Sequence, residues 1–204
     1  ETEAARRLLA SLEPAHRDDV KVVLQAAEAE AWLVVVGDEA ERAAGMLVPA
    51  VARGIELGHL LLSALTGTVA VRVGAAAEVR ELLAGAAGAS GSPLIAAVAA
   101  LAEAVAERDT AAVIAVVDDL ERAGLPAVAH SALTQAAEWS AGDRMLERRA
   151  RVRAAELGLT VVPVRTARSS RTDSGLTERE WVIAQAAARR ERSREIADRL
   201  GVSV

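Results

Sequence analysis

Cysteine, phenylalanine and tyrosine are absent from this 204-residue chain, and tryptophan, present three times, is its only aromatic residue. Without cysteine there is no disulfide framework and no thiolate metal site, which fits a reducing, cytoplasmic setting. Without Phe or Tyr, a core has to be assembled from Ala, Val and Leu. Alanine is the best helix former and small side chains let helices approach closely, so the composition points to an all-α protein. Lysine is nearly missing as well: Lys21 is the only one. The phosphate-cradling Gly-x4-Gly-Lys-Ser/Thr loop is therefore excluded. No apolar run suits a bilayer span of about 20 residues. Leu57 to Val71 is interrupted by Gly58, His59 and Gly67, and Leu82 to Ala102 by Gly-Ala-Ser-Gly-Ser-Pro. No membrane partner is expected. The start, Glu-Thr-Glu-Ala-Ala-Arg-Arg, lacks the apolar core of a signal peptide. It opens on Glu1 rather than Met, as expected of a piece of a longer protein.

Catalytic chemistry is equally thin. His16, His59 and His130 have no second ligand at helical spacing. His130 with Asp118 or Asp119 and Ser131 has the residue types of a hydrolytic set, but nothing in the sequence draws them together. Adjacent acids such as Asp118 and Asp119, and the pair Glu28 and Glu30, read as solvated helix faces. Trp32, Trp139 and Trp181 read as core anchors rather than a cation cage, which needs several converging aromatics. The expectation is no enzyme, no cofactor and no metal.

What the chain does contain is helix punctuation. Residues 1 to 13 can form a first helix with Ala5, Leu8, Leu9 and Leu12 on one side, closed or kinked by Pro14. A second runs from about Asp18 to Val36. Gly37-Asp38 breaks the chain, and Asp38 with Glu41 can cap a helix reaching Leu57, with Pro49 inside it. Gly58 separates that helix from a very apolar one, Leu60 to Val73, which must be covered by neighbours or by a second copy. After Gly74 a helix runs from about Ala75 to Ala87, and Gly88 to Pro93 reads as the clearest loop of the body. Leu94, Ile95, Val98, Leu101, Ala102 and Val105 then form one buried stripe. Asp109 caps a helix to Gly124, Pro126 opens one to Trp139, and an Arg-rich helix follows Gly142-Asp143 to Leu157 or Gly158. The breaks at Gly37, Gly74, Asp109 and Gly142 are 37, 35 and 33 residues apart. A repeat near 34 residues is the period of tetratricopeptide (TPR) helix hairpins. The expected fold is therefore all-α, with TPR-like antiparallel hairpins over 1–158, a polar linker over 159–175 and a short helical segment over 176–204.

Charge is divided along the chain. Residues 165–204 carry 9 Arg and 6 Asp or Glu, a net of +3, and the remainder carries a net of −8. An acidic body with a basic tail suits nucleic-acid contact at the tail. In that tail Thr177 and Glu180 have capping-box spacing, and Leu176 and Trp181 can staple the turn. Ile196, Ala197 and Leu200 line a second short helix that Gly201 stops. Two short helices joined by a tight turn begin a helix-turn-helix.

This segment resembles the DNA-binding domain of LuxR-type transcriptional regulators. Leu176, Thr177, Arg179 and Glu180 match the family's opening. Arg194, Glu195, Ile196, Ala197, Leu200, Val202 and Ser203 match its later motif at the same spacing. Arg190 stands where the family usually has Gly, and Arg192-Ser193 where it has Ser-Asn. The resemblance implies that Thr177, Arg179, Arg192, Ser193, Arg194 and Ser203 sit where DNA-phosphate or scaffold contacts are made. It also implies a recognition helix beginning just after Ser203, so the chain to Val204 is expected to carry the scaffold of the domain without its reader. Residues 101–157 resemble the helical region that precedes this domain in large ATP-binding LuxR regulators of actinomycete type. DNA is thus the partner implied for the tail. A protein partner, a small-molecule effector or self-association is expected for the helical body. An interaction scaffold with a degenerate C-terminus is the alternative reading.

Overall fold

The computed structural model describes residues 2–11, 19–35, 39–140 and 142–159. They form nine α-helices and no strand. These are α1 (Thr2–Ala10), α2 (Val20–Val35), α3 (Ala40–Glu56), α4 (Leu60–Arg72) and α5 (Ala76–Ser90), then α6 (Pro93–Ala106), α7 (Thr110–Arg122), α8 (Pro126–Trp139) and α9 (Arg144–Glu156). The expected linker beyond Leu159 and the whole 176–204 segment lie outside the described residues, as do Pro14, Gly37 and Asp38.

The hairpins repeat as the glycine spacing requires. Helices α2, α4, α6 and α8 contact one another in succession, and on the other side of the stack α3 meets α5 and α7 meets α9. Each helix also packs on its neighbour in sequence. Four of the connections are built the same way. At the end of α3, Gly58 N–H donates to the Ile55 carbonyl and His59 N–H to the Gly54 carbonyl, both at 2.9 Å. Gly74 with Ala75, Arg108 with Asp109, and Gly124 with Leu125 repeat that pair of bonds. This is the Schellman closure, in which the first residue past the cap takes a left-handed conformation. Gly58, Gly91, Gly124 and Gly158 all have positive φ and are spaced 33, 33 and 34 residues apart. This set marks the repeat more regularly than the four breaks read from the sequence. At Arg108, φ is +54° in a residue with a Cβ, a conformation that costs about 1 kcal/mol.

The helix starts follow their sequence signals in part. Asp109 accepts from Ala112 N–H, and Asp143 from Met145 and Leu146 N–H. Pro93 and Pro126 occupy first-turn positions, where the missing N–H costs nothing. Helix α3 begins instead after Glu39, whose side chain makes no capping bond. The expected loop at 88–93 is shorter than its composition suggests. Gly88, Ala89 and Ser90 stay helical, and the chain turns only at Gly91, where φ is +63°. A helical glycine costs about 1 kcal/mol, less than the packing of α5 on α6 returns. The first helix is likewise narrower than its pattern: Ala5 and Leu9 are half-buried, but Leu8 is 70% exposed.

The core is made of the small residues the composition demanded. Leu24, Leu47, Leu83, Leu101, Leu120 and Leu133 are fully buried, set among buried Ala and Val. Ile95, Val98, Leu101, Ala102 and Val105 are buried along α6 as their spacing predicts, with Leu94 at the margin. The apolar helix α4 is covered by this chain itself. It lies against α2, α3, α5, α6 and α8, and its buried residues run from Ser63 to Val71 with only Leu65 partly exposed. It therefore makes no case for a second copy. Gly54 and Gly67 allow the close approach: a Cβ on Gly67 would lie 2.9 Å from Leu83 Cδ2.

Candidate functional site

Helices α1, α2 and α3 border a trough of about 850 Å³, within the range of roughly 300–1,000 Å³ usual for small-molecule sites. From α2 its lining takes Val22, Val23, Ala26, Ala27, Leu33 and Val34, with Glu30 among them. From α3 it takes Arg42, Met46, Pro49, Ala50 and Arg53, which recur at helical spacing and so share one face. Helix α1 supplies Arg6, Leu9 and Ala10. The surface is thus apolar along its length, with three guanidinium groups and one carboxylate on it.

The three arginines are weakly held. Arg6, Arg42 and Arg53 each meet one glutamate three residues away, Glu3 at 3.9 Å, Glu39 at 3.1 Å and Glu56 at 3.2 Å. All six side chains are more than half exposed. Such exposed pairs contribute at most about 1 kcal/mol, so the guanidinium groups remain open to another anion. Pro49 is exposed within α3. A helix-interior proline removes one backbone bond and typically costs about 3 kcal/mol.

Buried polar groups elsewhere tie helices together. Thr66 Oγ1 donates to Glu28 Oε1 at 2.5 Å, joining α4 to α2. Trp139 Nε1–H donates to Thr110 Oγ1 at 2.7 Å, and the Thr110 and Ser140 hydroxyls pair with each other. This network joins the start of α7 to the end of α8. Arg72 lies 4.7 Å above the Trp32 ring, and burial lowers its pKa from the ordinary arginine value. Both described tryptophans thus anchor helix contacts, packed half-buried against the core rather than within it.

The two acids of the candidate hydrolytic set have other partners. Asp118 Oδ1 accepts from Arg153 Nη2 at 2.8 Å, and Asp119 pairs with Arg122. His130 Nδ1 is buried with no hydrogen-bond partner, and the His130 carbonyl accepts from Thr134. His59 sits at the cap of α4. Among the described residues no three acids or histidines converge as metal ligands. Nor is any described helix long and apolar enough to cross a membrane. The expected DNA-contacting residues Thr177, Arg179, Arg192, Ser193, Arg194 and Ser203 all lie outside the described residues, together with Trp181 and His16. The trough was not anticipated, although the spacing of Arg42, Met46, Pro49 and Arg53 carries its signal. Comparison with protein-family models, with curated proteins and with solved structures finds no match to this chain.

Proposed function

We propose that this chain belongs to a DNA-binding transcription regulator, in which the helical stack receives a signal and residues 176–204 begin a LuxR-type helix-turn-helix. The observation that carries this reading is the run from Leu176 to Ser203. Its capping box, its Arg194-Glu195-Ile196-Ala197 motif and its Leu200, Val202 and Ser203 keep the family's order and spacing. The basic excess of residues 165–204 on an otherwise acidic chain supports it. In this reading Thr177, Arg179, Arg192, Ser193, Arg194 and Ser203 serve phosphate or scaffold contacts, which position a protein without reading sequence. The helical stack serves effector binding, partner binding or self-association, and the chain catalyses no reaction.

Selection from a random duplex pool tests the proposal. A chain extended past Val204 by a LuxR-type recognition helix should enrich a defined sequence, whereas the 204-residue chain should enrich none. An extended chain that also enriches nothing refutes the DNA reading. The 33–34-residue repeat of left-handed caps favours a second reading, an interaction scaffold, since stacked helix hairpins build extended binding surfaces. A stable protein complex formed through the helices, with no DNA affinity, would support it.

A further inference from the structure

We infer that the trough between α1, α2 and α3 binds a monomeric amphipathic anion, an apolar chain ending in a carboxylate or phosphate. The inference deepens the sensing role proposed above and relies on it only for its regulatory meaning. The lining is apolar along α2 and α3, and its charged groups are Arg6, Arg42 and Arg53 against Glu30 alone. A neutral ligand would make no use of the three guanidinium groups on the lining, and a cationic one would oppose them. An anion can take over guanidinium donors that exposed glutamates hold only weakly. Guanidinium-carboxylate and guanidinium-phosphate bonds are the stronger, charge-assisted kind.

The arginines on α3 set a length for the ligand. Arg42 and Arg53 stand eleven residues apart on one helix, about 16 Å of axis. That length suits an extended medium-length acyl chain with its head group at either arginine. Met46 gives the lining an adaptable side chain for an unbranched chain of this kind. Pro49 faces the same space at a cost to its helix and is itself exposed. A local rule broken without a gain in packing is expected at sites kept for function.

The test is calorimetric titration of the 204-residue chain with dodecanoate and dodecyl phosphate below their micelle thresholds. Dodecyltrimethylammonium and an acidic amphipathic helical peptide serve as contrasts. Saturable binding of one anionic amphiphile per chain is expected, and the cation should not bind. Arg42→Gln with Arg53→Gln should weaken the anion by roughly ten-fold or more, with the helical circular dichroism unchanged. Ala27→Trp should abolish binding by filling the trough. Should that variant not fold, the exposed arginine pair still decides the question. Failure of both anions to bind, equal binding of the cation, or binding of the peptide alone overturns the inference. A preference for anionic vesicles over the free amphiphiles overturns it too. Saturable anion binding by a chain that selects no DNA leaves this inference standing and removes only the regulatory reading.

Discussion

Gly54 on α3 faces Ser63 on α4 so closely that a Cβ added at Gly54 would overlap the Ser63 hydroxyl oxygen. The same Cβ would lie 3.2 Å and 3.3 Å from the two methyl carbons of Leu24, itself fully buried. Gly54→Ala should therefore destabilise by about 1–3 kcal/mol, overpacking outweighing the helix propensity gained. The Ser63 hydroxyl is buried without a hydrogen-bond partner. Ser63→Ala should be neutral or stabilising by about 1 kcal/mol, and should recover part of the Gly54→Ala loss in the double variant. Denaturant midpoints of the two single variants and the double variant check this. Additive effects would show that the two helices do not meet there.

Arg108 occupies a left-handed position that glycine fills at Gly58, Gly74 and Gly124. Arg108→Gly should raise stability by about 0.5 kcal/mol, the relief of backbone strain exceeding the extra freedom glycine gains when unfolded. A drop in stability would mean that the Arg108 side chain contributes more through its interactions than its strain costs. The thermal midpoint decides between them.

Thr110 joins α7 to α8 through its own hydroxyl. Thr110→Val keeps the shape but strands the Trp139 indole N–H and the Ser140 hydroxyl, so a loss of about 1–3 kcal/mol is expected. Thr110→Ser should cost less than 1 kcal/mol because the partners stay satisfied. Equal losses for Val and Ser would place the role of Thr110 in packing rather than in hydrogen bonding.

Arg153 links α9 to α7 through Asp118 and Glu121, and meets Glu156 on its own helix. Hydrogen bonding to Asp118 comes first among the effects that raise its pKa, with Glu121 adding both charge and a bond. A raised arginine pKa gives a contribution present at every pH below the ordinary arginine value. It fades only as pH climbs through the still higher folded value. Arg153→Met should thus cost about 1 kcal/mol at both pH 7 and pH 9, and less in 1 M salt. A cost that survives high salt would assign the effect to packing of the side-chain stem.

Much of the helical order was readable because glycine and proline punctuate it. Gly58, Gly74, Gly124, Pro93 and Pro126 all stand at helix boundaries. Asp109 was found through its capping chemistry, although the turn itself is made one residue earlier by Arg108. No sequence rule nominates an arginine for a left-handed position. The segment from Gly88 to Ser90 reads as loop by composition, yet packing holds it helical. The trough escaped the sequence reading because three helices contribute to it. The stripe on α3 is visible alone, but its meeting with Leu9 and Val22 depends on how the hairpins stack.

The salt dependence of DNA affinity tests the central claim most directly. The 204-residue chain and its Arg179→Ala, Arg192→Ala, Arg194→Ala triple variant would be titrated onto one labelled duplex across a salt series. The account predicts weak binding whose logarithm falls linearly with log salt. It also predicts a slope smaller in magnitude for the triple variant, by about 0.9 for each phosphate that the variant no longer neutralises. Identical slopes for the two proteins, or no binding by either at low salt, would contradict it.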